Sequence, residues 1–300
     1  MIAVIIPTLN EEEAIREVIE DFPEFSNRHK VNLYIIDGGS TDRTIEIVEN
    51  SSAELMNQRL GGGKGNGVRQ ALNEIEADIY AMIDGDGTYD PKQLDKVVEP
   101  IIDGRAEHVI GRRSDRSSDA IPKLNLLGNY VFNLAVRLST KEEVHDMLSG
   151  YRAFTDYSLN YTEFTEPGFG IETEMTFTAI ENKVPIEEVK ISYEEREGES
   201  KLNPISDGWR IITTIIWSIR DMNPLKFFST VSMLFFLLAT YPSYLAISQY
   251  LSNGRIVDLA PSLIASVLII MGLQLFILGM MSDQIKSNEK RLKSQIQHEN

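Results

Sequence analysis

In 300 residues, 29 lysines and arginines stand against 45 aspartates and glutamates, a formal net charge of −16. A chain this acidic lacks the basic surface that neutralising phosphates requires, so nucleic acid is not an expected partner. Cysteine is absent, which excludes disulfides, thiolate metal sites and cysteine nucleophiles; the four histidines (His29, His108, His145, His298) contain no pair at helical zinc-ligand spacing.

The opening stretch Met1-Ile2-Ala3-Val4-Ile5-Ile6-Pro7 has neither a basic start nor a long apolar core, and reads as a first strand (Ile2 to Ile6), not a signal peptide. A helix is expected over Glu11 to Asp21, ended near Pro23. A strand follows at Leu33 to Ile36, then a helix from Thr41 that Asp42 or Ser40 could cap. Next come a short strand at Glu54 to Asn57, a helix at Lys64 to Ile75 and a strand at Ile79 to Ile83. Pro91 opens another helix at a tolerated first-turn position, and His108 to Ile110 is a further strand. This alternation predicts an α/β fold over residues 1–205, a mainly parallel, doubly wound sheet covered on both faces.

Near residue 224 the composition changes. Phe227 to Leu251 and Leu259 to Met281 carry no charge, and each is long enough to cross a hydrocarbon core that needs about 20 apolar residues. The short link between them predicts a two-helix transmembrane hairpin within residues 224–283, followed by a basic tail, 284–300. Arg210, Arg220 and Lys226 precede the first span, and Lys286, Lys290, Arg291 and Lys293 follow the second. The link offers only Arg255, so both termini and the large domain are expected on the cytoplasmic side of the cell membrane. In residues 206–223, Trp209, Ile212, Ile216 and Ile219 share one helical face, which reads as an amphipathic helix at the bilayer surface. A packing helix of the soluble domain is the competing reading.

Chemistry-bearing residues gather where strands should end. Asp84-Gly85-Asp86 closes the run Ala77 to Ile83; two carboxylates this close repel unless a cation lies between them, as a hard divalent ion held with a substrate phosphate would. Pro7-Thr8-Leu9-Asn10-Glu11 follows the first strand, and Asp37-Gly38-Gly39-Ser40-Thr41-Asp42 the second, where a carboxylate can accept from a base or ribose hydroxyl. Gly61-Gly62-Gly63-Lys64-Gly65-Asn66-Gly67 is a loop that could open a helix at a phosphate. It matches neither a P-loop nor a dinucleotide fingerprint.

In this order, these segments resemble the family-2 glycosyltransferases of GT-A fold, a Rossmann-like architecture. The resemblance covers about residues 1–205. It implies a nucleotide-sugar donor held by Pro7, Thr8, Asn10, Glu11, Asp37, Lys64 and Asp84. Asp84 and Asp86 are implied as ligands of Mg2+ or Mn2+. Asp146-Met147-Leu148-Ser149-Gly150-Tyr151-Arg152 resembles the acceptor motif of polyprenyl-phosphate sugar synthases, and Arg196-Glu197-Gly198-Glu199-Ser200-Lys201-Leu202 their basic loop over the donor diphosphate. Gly111-Arg112-Arg113 resembles the segment where that group places an acceptor-phosphate arginine, here Arg113. The archaeal dolichol-phosphate hexose synthases that start N-glycosylation are the nearer likeness, and dolichol-phosphate mannose synthase a more distant one. Thr88 stands where the latter often carry glutamine, leaving a third metal position to a hydroxyl or a water.

A phosphate monoester is already anionic at neutral pH and can attack an anomeric carbon with little need of a base, which suits a site with no Ser–His or Cys–His pair. Electrostatics then carry the reaction, with Arg113, Arg152, Arg196 and Lys201 as candidate cations. Asp146 is expected beside the transferred sugar, as an orienting group. Arg152 could equally be structural, and Glu172 and Glu174 read as a solvated helical face. The expected activity is inverting transfer of one sugar, glucose or N-acetylglucosamine favoured, from a UDP-sugar to dolichyl or polyprenyl phosphate at the lipid bilayer. The alternatives are a transferase acting on a glycan or polymer, and a non-catalytic nucleotide-sugar-binding membrane protein. A homo-oligomer is left open, since two spans can act alone or pack with a neighbour's.

Overall fold

The structure, a computed structural model, describes residues 1–116, 144–159, 168, 170–194, 213, 216–217, 220–221 and 223–299. It divides into two compact units, Met1–Ile216 and Trp217–Asn300.

Eight strands among the described residues of the first unit form one sheet: β1 (Ile2–Thr8), β2 (Phe25–Ser26), β3 (His29–Asp37), β4 (Glu54–Asn57), β5 (Ile79–Met82), β6 (His108–Arg116), β7 (Arg152–Phe154) and β8 (Ile186–Tyr193). Their order is β2-β3-β1-β5-β7-β6-β8, with β4 also on β3. Strands β4, β3, β1 and β5 run parallel, as do β6 and β8. The expected mainly parallel sheet carries two antiparallel strands, the two-residue β2 beside β3 at the edge and, inside it, β7 between β5 and β6. Only three residues long and fully buried, β7 has no periodicity by which its sequence could announce a strand.

Strands β1 and β5 are apolar at nearly every position because both faces are covered. Ile2, Val4 and Ile6 face α1 (Ile15–Glu20), α2 (Thr44–Glu49) and α4 (Leu94–Ile102), through Ile15, Val18, Val48, Leu94 and Val97. Ala3 and Ile5 face α3 (Lys64–Glu74) and α6 (Ile171–Glu181), through Val68, Ala71, Ile171 and Met175. The remaining short helix, α5, is Asp156–Leu159. Each isoleucine buried in this way stabilises the domain by about 1.5–3 kcal/mol, so strand register is strongly specified. That register pairs Thr8 with Asp37 and Ile5 with Met82, and the motif-bearing ends of β1, β3 and β5 therefore finish level.

Two helices start later than their sequence suggests. Residues 11–14 form a turn ahead of α1, with the Ile15 N–H donating to Glu11 O at 2.9 Å. Helix α2 begins at Thr44, whose N–H is received by Asp42 Oδ1 at 2.9 Å. In both cases the polar residues before the helix bond across to the neighbouring loop.

The second unit is a helical hairpin, α7 (Pro224–Asn253) and α8 (Ala260–Glu299), both long and apolar enough to cross a membrane. Ser232 Oγ donates to Gly272 O at 2.7 Å, and a side chain at Gly272 would press into the Phe236 ring. Small residues at such crossings let apolar helices approach closely. The link is organised by Gln249 Oε1, which accepts from the N–H groups of Val257 (3.2 Å) and Asp258 (2.9 Å). The basic tail is not a separate segment: α8 continues through it, since residues 284–300 hold neither glycine nor proline to stop a helix. The expected surface helix over 206–223 lies mostly outside the described residues. Where described, Thr213, Ile216, Trp217, Arg220 and Asp221 are helical, and the Arg220 guanidinium lies 4.2 Å above the Trp217 ring.

One buried group gives the fold a pH dependence. His108, at the start of β6, is enclosed beside Phe154, with Nδ1 3.3 Å from Ser158 Oγ and no partner for Nε2 among the described residues. Burial, helped by the charge of Arg152, pushes its pKa down to about 3 from 6.5. The unfolded chain therefore takes up this proton first as pH falls. The stability contributed by neutral His108 is complete above pH 6.5 and is lost at about 1.4 kcal/mol per unit between 6.5 and 3. Urea unfolding in detergent micelles at several pH values is expected to show a slope smaller by that amount in His108→Leu; equal slopes would refute the assignment.

Candidate active site

At the ends of β1 and β3 the motif residues are tied to one another. The N–H groups of Asn10, Glu11 and Glu12 donate to Ser40 Oγ (2.8 Å), Thr44 Oγ1 (2.8 Å) and Asp42 Oδ2 (3.2 Å). In return, Asn10 Oδ1 accepts from the Thr41 N–H at 2.7 Å and Glu12 Oε2 from the Arg43 N–H at 3.0 Å. Asp37 is buried under this turn: Oδ2 accepts from the N–H groups of Gly39 (2.8 Å) and Ser40 (2.9 Å), Oδ1 from Ser40 Oγ (2.5 Å). The Thr8 hydroxyl points to Ile36 O at 3.4 Å. Pro7, Thr8, Asn10, Glu11 and Asp37 are thus brought together, and the polar groups of Asn10 and Asp37 shape the two loops.

The acidic turn after β5 packs on the end of β1. A side chain at Gly85 would lie 2.7 Å from Thr8 Cγ2, so glycine is required between the two aspartates. Asp84 is reached by Lys64, the first residue of α3, and Lys64 also pairs with Glu172 in the first turn of α6. Lys64 and Glu172 are both buried, Glu172 at 4% exposure. Burial favours the neutral amine, but attraction to Asp84 and Glu172 and the hydrogen bonds to both outweigh it and raise the lysine's pKa. Lys64 is therefore a fixed cation. Asp86 is held from the other side: its Oδ1 accepts from Thr88 Oγ1 at 2.6 Å and the Thr88 N–H at 3.2 Å.

The Asp146–Arg152 segment closes the site. Arg113, on β6, donates to Asp146 three times, from its backbone N–H (3.1 Å) and Nε (2.7 Å) to Oδ2 and from Nη2 (2.6 Å) to Oδ1. Its guanidinium lies 5.1 Å from the centre of the Tyr193 ring. The pair is buried and two-pronged, the geometry that gives such contacts their strength. The Gly150 N–H donates to Tyr89 Oη at 2.8 Å, and a side chain at Gly150 would overlap the Asp84 carboxylate. The acidic turn and the Asp146 segment are therefore in van der Waals contact, forming one site.

One sequence reading needs correction, and of the two left open for Arg152 the structural one fits. Glu172 is not on a solvated face; it is the second carboxylate of the Lys64 bridge. Arg152 has no exposed surface and donates to Ser149 O (2.8 Å), Thr176 Oγ1 (2.7 Å) and Met147 O. It braces the backbone beneath the site and does not face a ligand. Burial pushes its pKa down to about 10, so it stays charged at neutral pH. Nothing in the sequence signals Glu172: the burial of α6 around it is a property of packing. Arg196 and Lys201 lie outside the described residues.

Among the described residues no three His, Asp or Glu side chains converge as a metal cage. Asp84 and Asp86, two hard oxygen donors on one turn, instead fit an ion that keeps several waters and takes its other ligands from a bound phosphate, as Mg2+ and Mn2+ do. Thr88 supports Asp86 by hydrogen bonding and is not needed as a ligand.

The sequence matches the profile of glycosyl transferase family 2 over residues 3–161 and that of the GtrB C-terminal hairpin over residues 223–287. It is 35% identical over 294 residues to the glycosyltransferase AglJ of Haloferax volcanii, covering 95% of this chain and 94% of that protein. A dolichyl-phosphate hexose transferase of the same organism is 32% identical over 215 residues, 72% of this chain and 92% of that one. Among solved structures, glucosyl-3-phosphoglycerate synthase from Mycobacterium tuberculosis, in complex with Mn2+, uridine-diphosphate-glucose and phosphoglyceric acid, has a TM-score of 0.62 at 23% identity. It covers 73% of this chain, which covers 79% of it; the likeness is one of fold.

The Lys64 bridge is testable by stability alone. Breaking a buried ion pair from one side costs about 3–5 kcal/mol, whereas a solvated glutamate changes stability by about 0.5 kcal/mol. Glu172→Ala is therefore expected to lower the urea midpoint of the first unit strongly, and Glu99→Ala, at an exposed helical position, only slightly. Equal, small effects would return Glu172 to the solvent.

Proposed function

The chain belongs to glycosyl transferase family 2, and on that premise we propose that it is a membrane-anchored, inverting hexosyltransferase. It moves one sugar, glucose or N-acetylglucosamine, from a UDP-sugar to dolichyl or another polyprenyl phosphate, the first step of lipid-linked glycan assembly for protein N-glycosylation. The observation that carries this reading is the contact of Gly150 with Asp84. It makes the acidic turn that suits a donor diphosphate continuous with the Asp146–Arg152 segment that suits a lipid-phosphate acceptor. The relatives' names support the acceptor class, and the apolar hairpin supports membrane attachment; the lysines and arginines flanking the two spans support a cytoplasmic catalytic unit and termini.

On this reading Asp37 and the loop from Pro7 to Glu11 receive the base and ribose, and Lys64 lies at the diphosphate. Asp84 and Asp86 would hold Mg2+ or Mn2+, which would offset charge on the departing diphosphate. The acceptor phosphate approaches Arg113, whose guanidinium Asp146 and Tyr193 hold in place. A phosphate oxygen forms a bond to the anomeric carbon from the face opposite the leaving group. The bond from that carbon to the diphosphate oxygen breaks, UDP departs with the electron pair, and configuration inverts. No proton has to be removed, which agrees with Asp146 being engaged by three donors from Arg113. Arg196 and Lys201 are proposed to close over the diphosphate.

Full-length protein in detergent with Mg2+ or Mn2+ is expected to convert dolichyl phosphate to a product heavier by one hexose or N-acetylhexosamine, read by mass analysis against a panel of UDP- and GDP-sugars. Asp86→Ala should lower transfer by about 10²–10³-fold, as loss of a positioned charge does. Gly150→Ala, which displaces Asp84, should lower it by about 10²-fold. Full activity in Asp86→Ala would remove the metal role, and a polymeric product would remove the single-transfer reading.

A further inference from the structure

We propose that Glu188, on β8, is a positioning residue that sets the main chain beneath Asp146; this rests on the reading of Asp146 as a group beside the transferred sugar. Glu188 Oε1 accepts two successive backbone N–H groups, from His145 at 2.8 Å and from Asp146 at 3.0 Å. Its Oε2 lies 2.7 Å from His145 Nδ1. The glutamate side chain is largely buried and the imidazole half-exposed. A charged acceptor holding two N–H groups is stronger than a neutral one, and removing it leaves both donors unpaired in a partly buried place.

The topology explains why a residue so far along the chain does this. Strands β6 and β8 pair in parallel, Glu188 opposite Ile110 and Ile191 opposite Arg113. From β6, Arg113 takes the Asp146 carboxylate; from β8, Glu188 takes its amide. Arg113 fixes the carboxylate relative to one guanidinium, and Arg152 holds the chain on the C-terminal side, at Met147 O and Ser149 O; the N–H groups of residues 145 and 146 are held from β8 by Glu188. With Glu188 added, side chain and main chain are both referred to the same rigid sheet, the support that precise sites require. A shift of about 1 Å at a reacting group costs about 10²-fold in rate.

The test measures kcat and KM on full-length protein in detergent with the UDP-sugar from the product panel and dolichyl phosphate. Glu188→Ala is expected to lower kcat about 10–100-fold with the donor KM changed by less than about threefold, the signature of misplacement without lost binding. Glu188→Gln keeps an oxygen that can accept both N–H groups and should recover to within about fivefold of wild type. His145→Ala leaves both backbone bonds and should stay within about twofold. Wild-type kcat in Glu188→Ala alongside an inactive Asp146→Asn would overturn the inference. So would Glu188→Gln as impaired as Glu188→Ala, or His145→Ala as impaired as either. Wild-type turnover in Asp146→Asn would instead remove the reading of Asp146 itself, and this inference with it.

Discussion

Everything in the site is arranged around a buried ammonium group. An unpaired lysine in that position would be unfavourable by several kcal/mol, so the Lys64 side chain must find partners, and it finds them on two separate elements, Asp84 after β5 and Glu172 at the start of α6. The bridge fixes the orientation of the acidic turn, the start of α3 and the start of α6 together. Other features follow from that placement. With Asp84 drawn in by Lys64, the chain at residue 150 comes so close that a Cβ there would overlap the carboxylate, and the turn itself needs Gly85 to clear Thr8. The glycines are consequences of the bridge.

The same device recurs around it. Side-chain oxygens capture backbone N–H groups of neighbouring loops: Ser40, Asp42 and Thr44 for residues 10–12, Asn10 and Glu12 for residues 41 and 43, Tyr89 for Gly150. Loops at strand ends have no ladder partners of their own, and these bonds replace the missing ones. Much of what makes the strand-end motifs recognisable is therefore the frame itself. A motif residue such as Asn10 holds a neighbouring loop, whatever it also offers to a donor.

That division explains what could be read from the chain alone. The strand–helix alternation and the two apolar spans depend on local patterns, and β4 appears at the expected Glu54–Asn57. Motif order along the chain was enough to bring Asp84, Lys64 and Asp146 into one site. Glu172 was not legible, because its partner is 108 residues away and a glutamate in a helix's first turn ordinarily faces water. Nor was the role of Arg152, since a guanidinium beneath the site and one facing a ligand look the same in sequence. Strand β7 was hidden because three buried residues contain no period to detect.

Charge gives the last constraint on mechanism. The described strand-end site holds the carboxylates of Asp37, Asp84, Asp86, Asp146 and Glu172 against the cations of Lys64, Arg113 and Arg152. Carboxylates outnumber cations here, and the cations are already matched to the site's own acids or to backbone oxygens, so net negative charge faces any ligand that enters. A nucleoside diphosphate would be repelled by such a surface, and an anionic acceptor more so. On the proposed reading, a divalent ion on Asp84 and Asp86 would offset part of that charge, and Arg196 and Lys201 would answer the charge of the diphosphate itself. On the proposed reading, an acid-rich site accommodates two anionic substrates because a cation would accompany the donor.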